Sequence, residues 1–304
     1  MNKRFIRGTA IAAVGALALA GCSAAGSEPE APEEGSTTTD QMDLTIGVFN
    51  GWPEGEAVSY LWQAVLEDKG YDVELEYADA GPVFAGIAGG DYDVALDGWL
   101  PMTHASYMEE FGDDLVDLGS WNDDAVLTMA VNEDAPITSI DELAEHADEF
   151  GNRIVGIEPG AGLTAATQDQ VIPTYGLDGM EFVTSSTPAM LAELSSALDA
   201  GENIVVTLWR PHWAYDEFAI RDLEDPEGTL GDAEGIHTIA RTGFETDYPE
   251  LTPWLEAFTM DSELLFSLEN AMFNSGASQG DYEDIVETWM SEHQEYVDGL
   301  TPTA

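Results

Sequence analysis

Asp97-Gly98-Trp99-Leu100-Pro101-Met102-Thr103-His104 follows a short apolar run over residues 92–96. The run reads as a strand. Gly98 and Pro101 are expected to stop it, which places Trp99 and His104 on the loop beyond its end. In an open α/β sheet, ligands bind outside the carboxyl ends of strands. A lone tryptophan there could equally pack under a neighbouring loop. The pattern recurs, however. Asn50-Gly51-Trp52-Pro53 follows a strand-like stretch over 44–49, and Leu208-Trp209-Arg210-Pro211-His212-Trp213 follows another over 204–207. Three indoles at strand ends suggest an aromatic cage, which receives quaternary ammonium groups.

Working outward, apolar runs and alternation predict strands over 44–49, 73–77, 92–96, 126–131, 153–157, 181–183, 203–207 and 235–240. Helical spacing marks 57–68, 83–88, 143–150, 164–175 and 189–200, followed by a mostly helical C-terminal part over 251–258, 262–274 and 282–296. Strands alternating with helices argue for an α/β fold with a largely parallel sheet. A second α/β unit is expected to begin near Leu127, with the strand over 126–131 crossing into it and 235–240 returning.

The 304 residues carry 60 acidic and only 8 basic side chains, a formal net charge of −52. Such a balance excludes nucleic acid and anionic membrane surfaces as partners. Self-repulsion of this size calls for abundant counterions, so a salty exterior is expected. The hydrophobic fraction of 44% is enough for a substantial core.

The N-terminus reads as a signal peptide over 1–21. Lys3, Arg4 and Arg7 precede an apolar core over 8–20 that is too short for a membrane span. Leu19-Ala20-Gly21-Cys22 resembles a bacterial lipobox, which marks Cys22 for lipidation. Cys22 is the sole cysteine, so no intrachain disulfide can form. Residues 22–42 read as the lipidated cysteine and a disordered tether, rich in Ser, Thr, Pro, Gly and Glu.

Glu158-Pro159-Gly160-Ala161-Gly162-Leu163 joins the strand over 153–157 to the following helix. Glycines let the backbone turn tightly, and a helix start offers free N–H groups, so an anion could sit there. An ordinary strand-to-helix turn would look the same. The phosphate-loop pattern is absent.

Together, Asp97-Gly98-Trp99-Leu100-Pro101-Met102-Thr103-His104, Gly156-Ile157-Glu158-Pro159-Gly160-Ala161-Gly162, Trp209-Arg210-Pro211-His212-Trp213, Leu223-Glu224-Asp225-Pro226 and Ile236-His237-Thr238-Ile239 resemble the substrate-binding lipoproteins of glycine betaine/proline betaine ABC transporters. The resemblance covers residues 43 to about 300. It implies a two-lobed clamp of the type II periplasmic-binding-protein kind, with ligand between the lobes. Lobe 1 would hold 43–127 plus 241–304, and lobe 2 would hold 128–240. It implies a cage of Trp52, Trp99 and Trp209. The ligand carboxylate would be held by the backbone N–H groups of Gly162 and Leu163 and by the His104 side chain. The implied partners are a betaine-class small molecule, an ABC permease, and the membrane through the lipid anchor, outside the cytoplasm. No cofactor, metal or catalytic residue is implied. The sequence departs from the pattern at Gly51 and Pro53 around the first indole and at Leu208 before the third, which leaves choline or another betaine open as ligand.

Trp62 is expected in the core, as is Trp213, with some prospect of touching ligand. Trp121, Trp254 and Trp289 are expected to pack or lie at the surface, and His212 and His237 to be structural hydrogen-bond partners. The acidic stretches over 222–225 and 281–284 lack calcium-loop spacing and read as solvated faces. A secreted hydrolase is the rival reading, because 60 carboxylates could conceal a catalytic pair. No G-x-S-x-G, H-E-x-x-H or His–Cys pattern supports it.

Overall fold

The computed structural model of the chain describes residues 42–302. The signal segment, Cys22 and the tether lie outside the described residues.

The first strand, β1 (Asp43–Phe49), is buried along most of its length. Gly51, at φ +78°, turns the chain into α1 (Pro53–Glu67). Pro53 at the first helical position has the right φ already and lacks the N–H that would go unsatisfied there. The helix therefore begins four residues before the apolar spacing suggested, and Trp52 becomes its N-cap residue. Ala57, Val58, Leu61, Trp62, Val65 and Leu66 form its buried face. Trp62 is core as expected, meeting Phe258 edge-on at 5.3 Å.

Then follow β2 (Asp72–Ala78), α2 (Ala80–Gly89), β3 (Val94–Leu100), α3 (Ala105–Phe111) and β4 (Leu115–Asn132). Short strands β5 (Arg153–Val155) and β6 (Glu181–Val183) come next, then β7 (Val205–Arg210), β8 (Ile220–Asp222) and β9 (Glu234–Arg241). The C-terminal helices Ser262–Phe273 and Tyr282–Glu292 pack on α1.

The sheet order is β2-β1-β3-β9-β4-β7-β5-β6, with β8 also on β4. The expectation of a largely parallel sheet is corrected. β1–β2, β1–β3, β5–β6 and β5–β7 are parallel, but β9 runs antiparallel to β3, and β4 runs antiparallel to β7, β8 and β9. Local alternation reports the helical crossovers and is blind to two long strands that traverse the middle of the sheet. β4 pairs with β9 up to Ala125↔Glu234 and with β7 from Val126↔Arg210. This change of partner divides the molecule into a half built on β1, β2, β3 and β9 and a half built on β5, β6, β7 and β8. Residues 235–240, read from the sequence as the return segment, pair with β3.

Candidate ligand-binding site

The three tryptophans converge, but two of them do so from inside strands. Trp99 lies in β3 opposite Ile236 of β9, and Trp209 lies in β7 opposite Leu127 of β4. Gly98 does not end β3. It sits just past an irregularity in the β3–β9 register, where a Cβ would fall 2.5 Å from Ile239 Cγ1. The glycine is thus there for close packing. Each strand ends one residue after its indole, at a cis proline: Leu100–Pro101 and Arg210–Pro211. Only Trp52 stands beyond its strand, as expected.

One cavity is lined by Trp52, Trp99 and Trp209, with His104, Gly162 and Leu163. All six expected site residues therefore meet. Trp213 does not line it; it packs against His212 and Phe218. The Trp52 ring lies parallel to the His104 ring, with centroids 5.6 Å apart and planes 7° apart. Trp52 and Trp209 approach edge-on at 6.4 Å. The enclosed space is about 20 Å³, little more than one water requires.

His104 is fully buried just before α3. Its Nδ1 accepts the Trp99 backbone N–H at 2.9 Å, while the His104 backbone N–H donates to the Trp99 carbonyl at 3.0 Å. Burial lowers the ring's pKa to about 3, so it is neutral near pH 7. With Nδ1 accepting, the single ring proton sits on Nε2. That atom is buried without a protein partner. The ring therefore keeps one unused donor beside the cavity. The turn preceding it is held by Glu234 of β9, whose carboxylate accepts the Met102 N–H at 2.5 Å, the Thr103 N–H at 2.9 Å and the Thr103 hydroxyl. Sequence reading missed Glu234 because 131 and 132 positions separate it from the Thr103 and Met102 that it fastens.

Opposite His104, the chain is helical in kind from 162 to 175, with a π-helical stretch over Thr167–Val171. Gly162 and Leu163 are its first two positions, whose N–H groups have no helical acceptor. A Cβ on Gly162 would stand 2.2 Å from the Thr103 carbonyl oxygen. Glycine is thus what allows the helix start to close against the His104 turn. Two further bonds join the same halves. The Tyr107 hydroxyl donates to the Gly160 carbonyl at 2.8 Å, and the Trp52 indole N–H donates to Glu158 at 3.4 Å. Glu158 also accepts the Thr187 N–H at 2.6 Å and hydroxyl at 3.0 Å.

Glu54 is the site residue that sequence reading overlooked. It lines the cavity and is almost wholly buried. In sequence it resembles an ordinary acidic residue in a first helical turn. The available clue was its position two residues after Trp52. Burial pushes its carboxyl up to about 7, against the smaller downward pull of the Trp209 and Trp99 indoles. Its Oε2 and the Trp209 Nε1 each lack a well-formed hydrogen bond.

His237 pairs with Asp117 at 2.9 Å, and the His212 Nδ1 accepts the Ala214 N–H at 3.0 Å, both structural roles as expected. Asp222 and Asp225 bind Arg210 and Tyr175 respectively. Among the described residues no acidic or histidine group is arranged to hold a metal ion.

Residues 42–292 match the family described as the substrate binding domain of the ABC-type glycine betaine transport system. A glycine betaine/carnitine transport binding protein, GbuC, of Listeria monocytogenes is 39% identical over 131 residues. That match spans 42% of each protein, so the chain covers less than half of this relative's length. Lactococcal OpuAC, solved closed with glycine betaine, superposes with a TM-score of 0.79 at 28% identity, covering 86% of this chain and 99% of that one. The glycine betaine/L-proline-binding protein ProX of Borrelia burgdorferi gives 0.79 at 30%, covering 86% and 97%.

Proposed function

The chain belongs to the family of substrate-binding domains of ABC-type glycine betaine transport systems, and from that premise we propose that it captures glycine betaine, or a close quaternary ammonium relative, for delivery to a membrane permease. The observation that carries this reading is the meeting of three indoles with an unused His104 donor and two free helix-start N–H groups around one cavity.

A trimethylammonium group has no N–H, so it cannot hydrogen-bond a carboxylate. Indole faces attract its diffuse charge at roughly 0.5–2 kcal/mol each and cover its methyl groups. The ligand carboxylate would take the Gly162 and Leu163 N–H groups and the His104 Nε2–H, each worth about 1.5–3 kcal/mol as a charge-assisted bond. Set against immobilising a small solute, these sum to an affinity near micromolar, about −8 kcal/mol. A head larger than a water enters only as the walls part. Trp52 and Trp99 belong to the β1–β3 half and Trp209 to the other, so we read the halves as lobes that open to admit ligand and close on it.

Choline is the second reading. It keeps the cation but leaves the Gly162–Leu163 amides and His104 without an acceptor, so glycine betaine is preferred. Calorimetry with glycine betaine, choline, proline and a neutral sugar tests this. Heat from the first, weaker heat from the second, silence from the sugar and unaltered ligand by NMR are expected. A ligand chemically changed by the protein would restore an enzymatic reading.

We also place the protein outside the cytoplasm on a lipid attached to Cys22. The intact protein should partition into detergent, and Cys22→Ala should release it to the medium. Equal partitioning of the two forms would sink the anchor.

A further inference from the structure

Behind the cage, three carboxyl groups from three separate elements face one another. Glu54 comes from the first turn of α1, Asp97 from β3 and Glu269 from the helix Ser262–Phe273. All three are essentially inaccessible to solvent. Gly55 allows the approach: a Cβ there would lie 2.4 Å from Asp97 Oδ2. Asp97 Oδ1 accepts the Trp99 indole N–H at 2.9 Å, while Oδ2, Glu54 Oε2 and both Glu269 oxygens lack a well-formed hydrogen bond, the Trp213 backbone N–H offering Glu269 only a weak one. Glu54 alone of the three lines the cavity.

Three ionised carboxylates cannot share so dry a volume. Burial raises all three pKa values, and charge on Glu54 raises those of Asp97 and Glu269 further. The surroundings offer no counter-cation. His104 and His212 are buried and held neutral, each at about 3. Glu158, from the second half, adds negative charge and is bonded to Thr187 and Trp52. Arg210 is engaged by Asp222 and lies over the Tyr215 ring. Glu56, also on α1, is turned to the Tyr77 hydroxyl. Among the described residues no positive charge faces the trio, and a cation in the cage would supply one.

We propose that a quaternary ammonium ion entering the cage displaces one proton from the Glu54–Asp97–Glu269 trio, so that ligand capture exchanges a cation for a proton. The O–H bond of one carboxyl breaks, its proton leaves to solvent, and the carboxylate becomes the buried counter-charge of the ligand. No covalent bond to the ligand forms. Affinity then rises with pH while the trio is protonated, by up to about tenfold per pH unit for one proton, and levels off once it is ionised. The same chemistry makes Glu54 a specificity element: it rewards a fixed positive charge, which a neutral solute of equal size lacks.

This inference rests on the betaine-binding reading, and one experiment separates the two. Glycine betaine is titrated into the whole protein between about pH 5.5 and 8.5, at each pH in two buffers that both buffer there but differ in ionisation enthalpy, MES and phosphate on the acid side and phosphate and Tris above about pH 7. Buffer-dependent heats corresponding to release of up to one proton, largest on the acid side and fading at high pH, are expected. Heats that agree in both buffers, with a pH-independent Kd, overturn the proposal and leave the cage intact. No binding heat at any pH overturns the cage itself. Glu54→Gln, checked for folding by its melting curve, should still bind, with release reduced and the pH slope flattened. Unchanged release in that variant would remove Glu54 from the exchange, and the wild-type titration decides the matter if the variant does not fold.

Discussion

The backbone N–H of Trp99 donates to Nδ1 of His104 at 2.9 Å, and this one bond sets the proton on the opposite ring nitrogen. The proposed cage residue and the proposed carboxylate-binding residue are thereby parts of one six-residue turn. His104→Ala should weaken glycine betaine by about 1–3 kcal/mol and choline much less, since only the former has an acceptor for Nε2–H. The ring's own titration, at about 3, should leave no mark on binding between pH 5 and 9. Equal losses for the two ligands in calorimetry would make His104 a scaffold residue.

Gly162→Ala tests closure. Its Cβ would press on the Thr103 carbonyl oxygen from a distance no Cβ adopts, 2.2 Å. The obstruction lies between the two halves, so the cost should fall on ligand affinity, by about tenfold or more, and only slightly on the melting temperature. A large drop in melting temperature with unchanged affinity would mean that this contact belongs to the permanent core.

Much of this was legible in the sequence, for identifiable reasons. Trp52, Trp99 and Trp209 announce themselves because large indoles recur beside Gly and Pro near apolar runs. The loop from Glu158 to Leu163 is readable because glycine and a helix start are local signals. What stayed hidden is long-range. That β3 runs through Gly98 to Leu100 depends on β9, whose Ile239 needs the missing side chain. That Glu234 clasps Met102 and Thr103, and that Glu269 meets Glu54, depends on pairings across more than a hundred positions. No periodicity reports such contacts. An acid in a first helical turn is expected at the surface, so composition alone conceals Glu54.

Surface charge should limit stability. The described part has five basic side chains, and of these Arg153, Arg210 and Arg241 are ion-paired, while Arg221 binds backbone carbonyls. Among the described residues most carboxylates therefore have no cationic neighbour. Raising salt from dilute to molar should screen their repulsion and raise the melting temperature. A flat response would show that repulsion is not limiting.

The buried acids add a pH dependence of defined sign. Glu54 is raised from 4.5 to about 7 on folding, so the folded state holds its proton where the unfolded state has lost it. The contribution of this group to the stability of the ligand-free protein is then fully present below about pH 4.5 and is lost as pH rises through 7, about 3 kcal/mol in all. Denaturant melts of wild type and Glu54→Gln in molar salt, where surface repulsion is screened, should show the wild type losing stability relative to the variant as pH rises through 7. His104 and His212, held neutral at about 3 in the fold, act in the opposite sense below about pH 6.5. The decisive quantity is therefore the stability difference between wild type and Glu54→Gln, and a difference that does not change with pH would contradict a protonated buried Glu54.

Alanine at each indole in turn tests whether the three rings hold the ligand. Calorimetric titration of glycine betaine into Trp52→Ala, Trp99→Ala and Trp209→Ala should show losses of roughly 2–4 kcal/mol apiece, because each change removes a desolvated aromatic wall. Trp→Phe at the same positions should be milder, and Trp62→Phe, a core change outside the cavity, should leave affinity nearly unaltered. Wild-type affinity in all three alanine variants would contradict the cage and, with it, the assignment of a quaternary ammonium ligand.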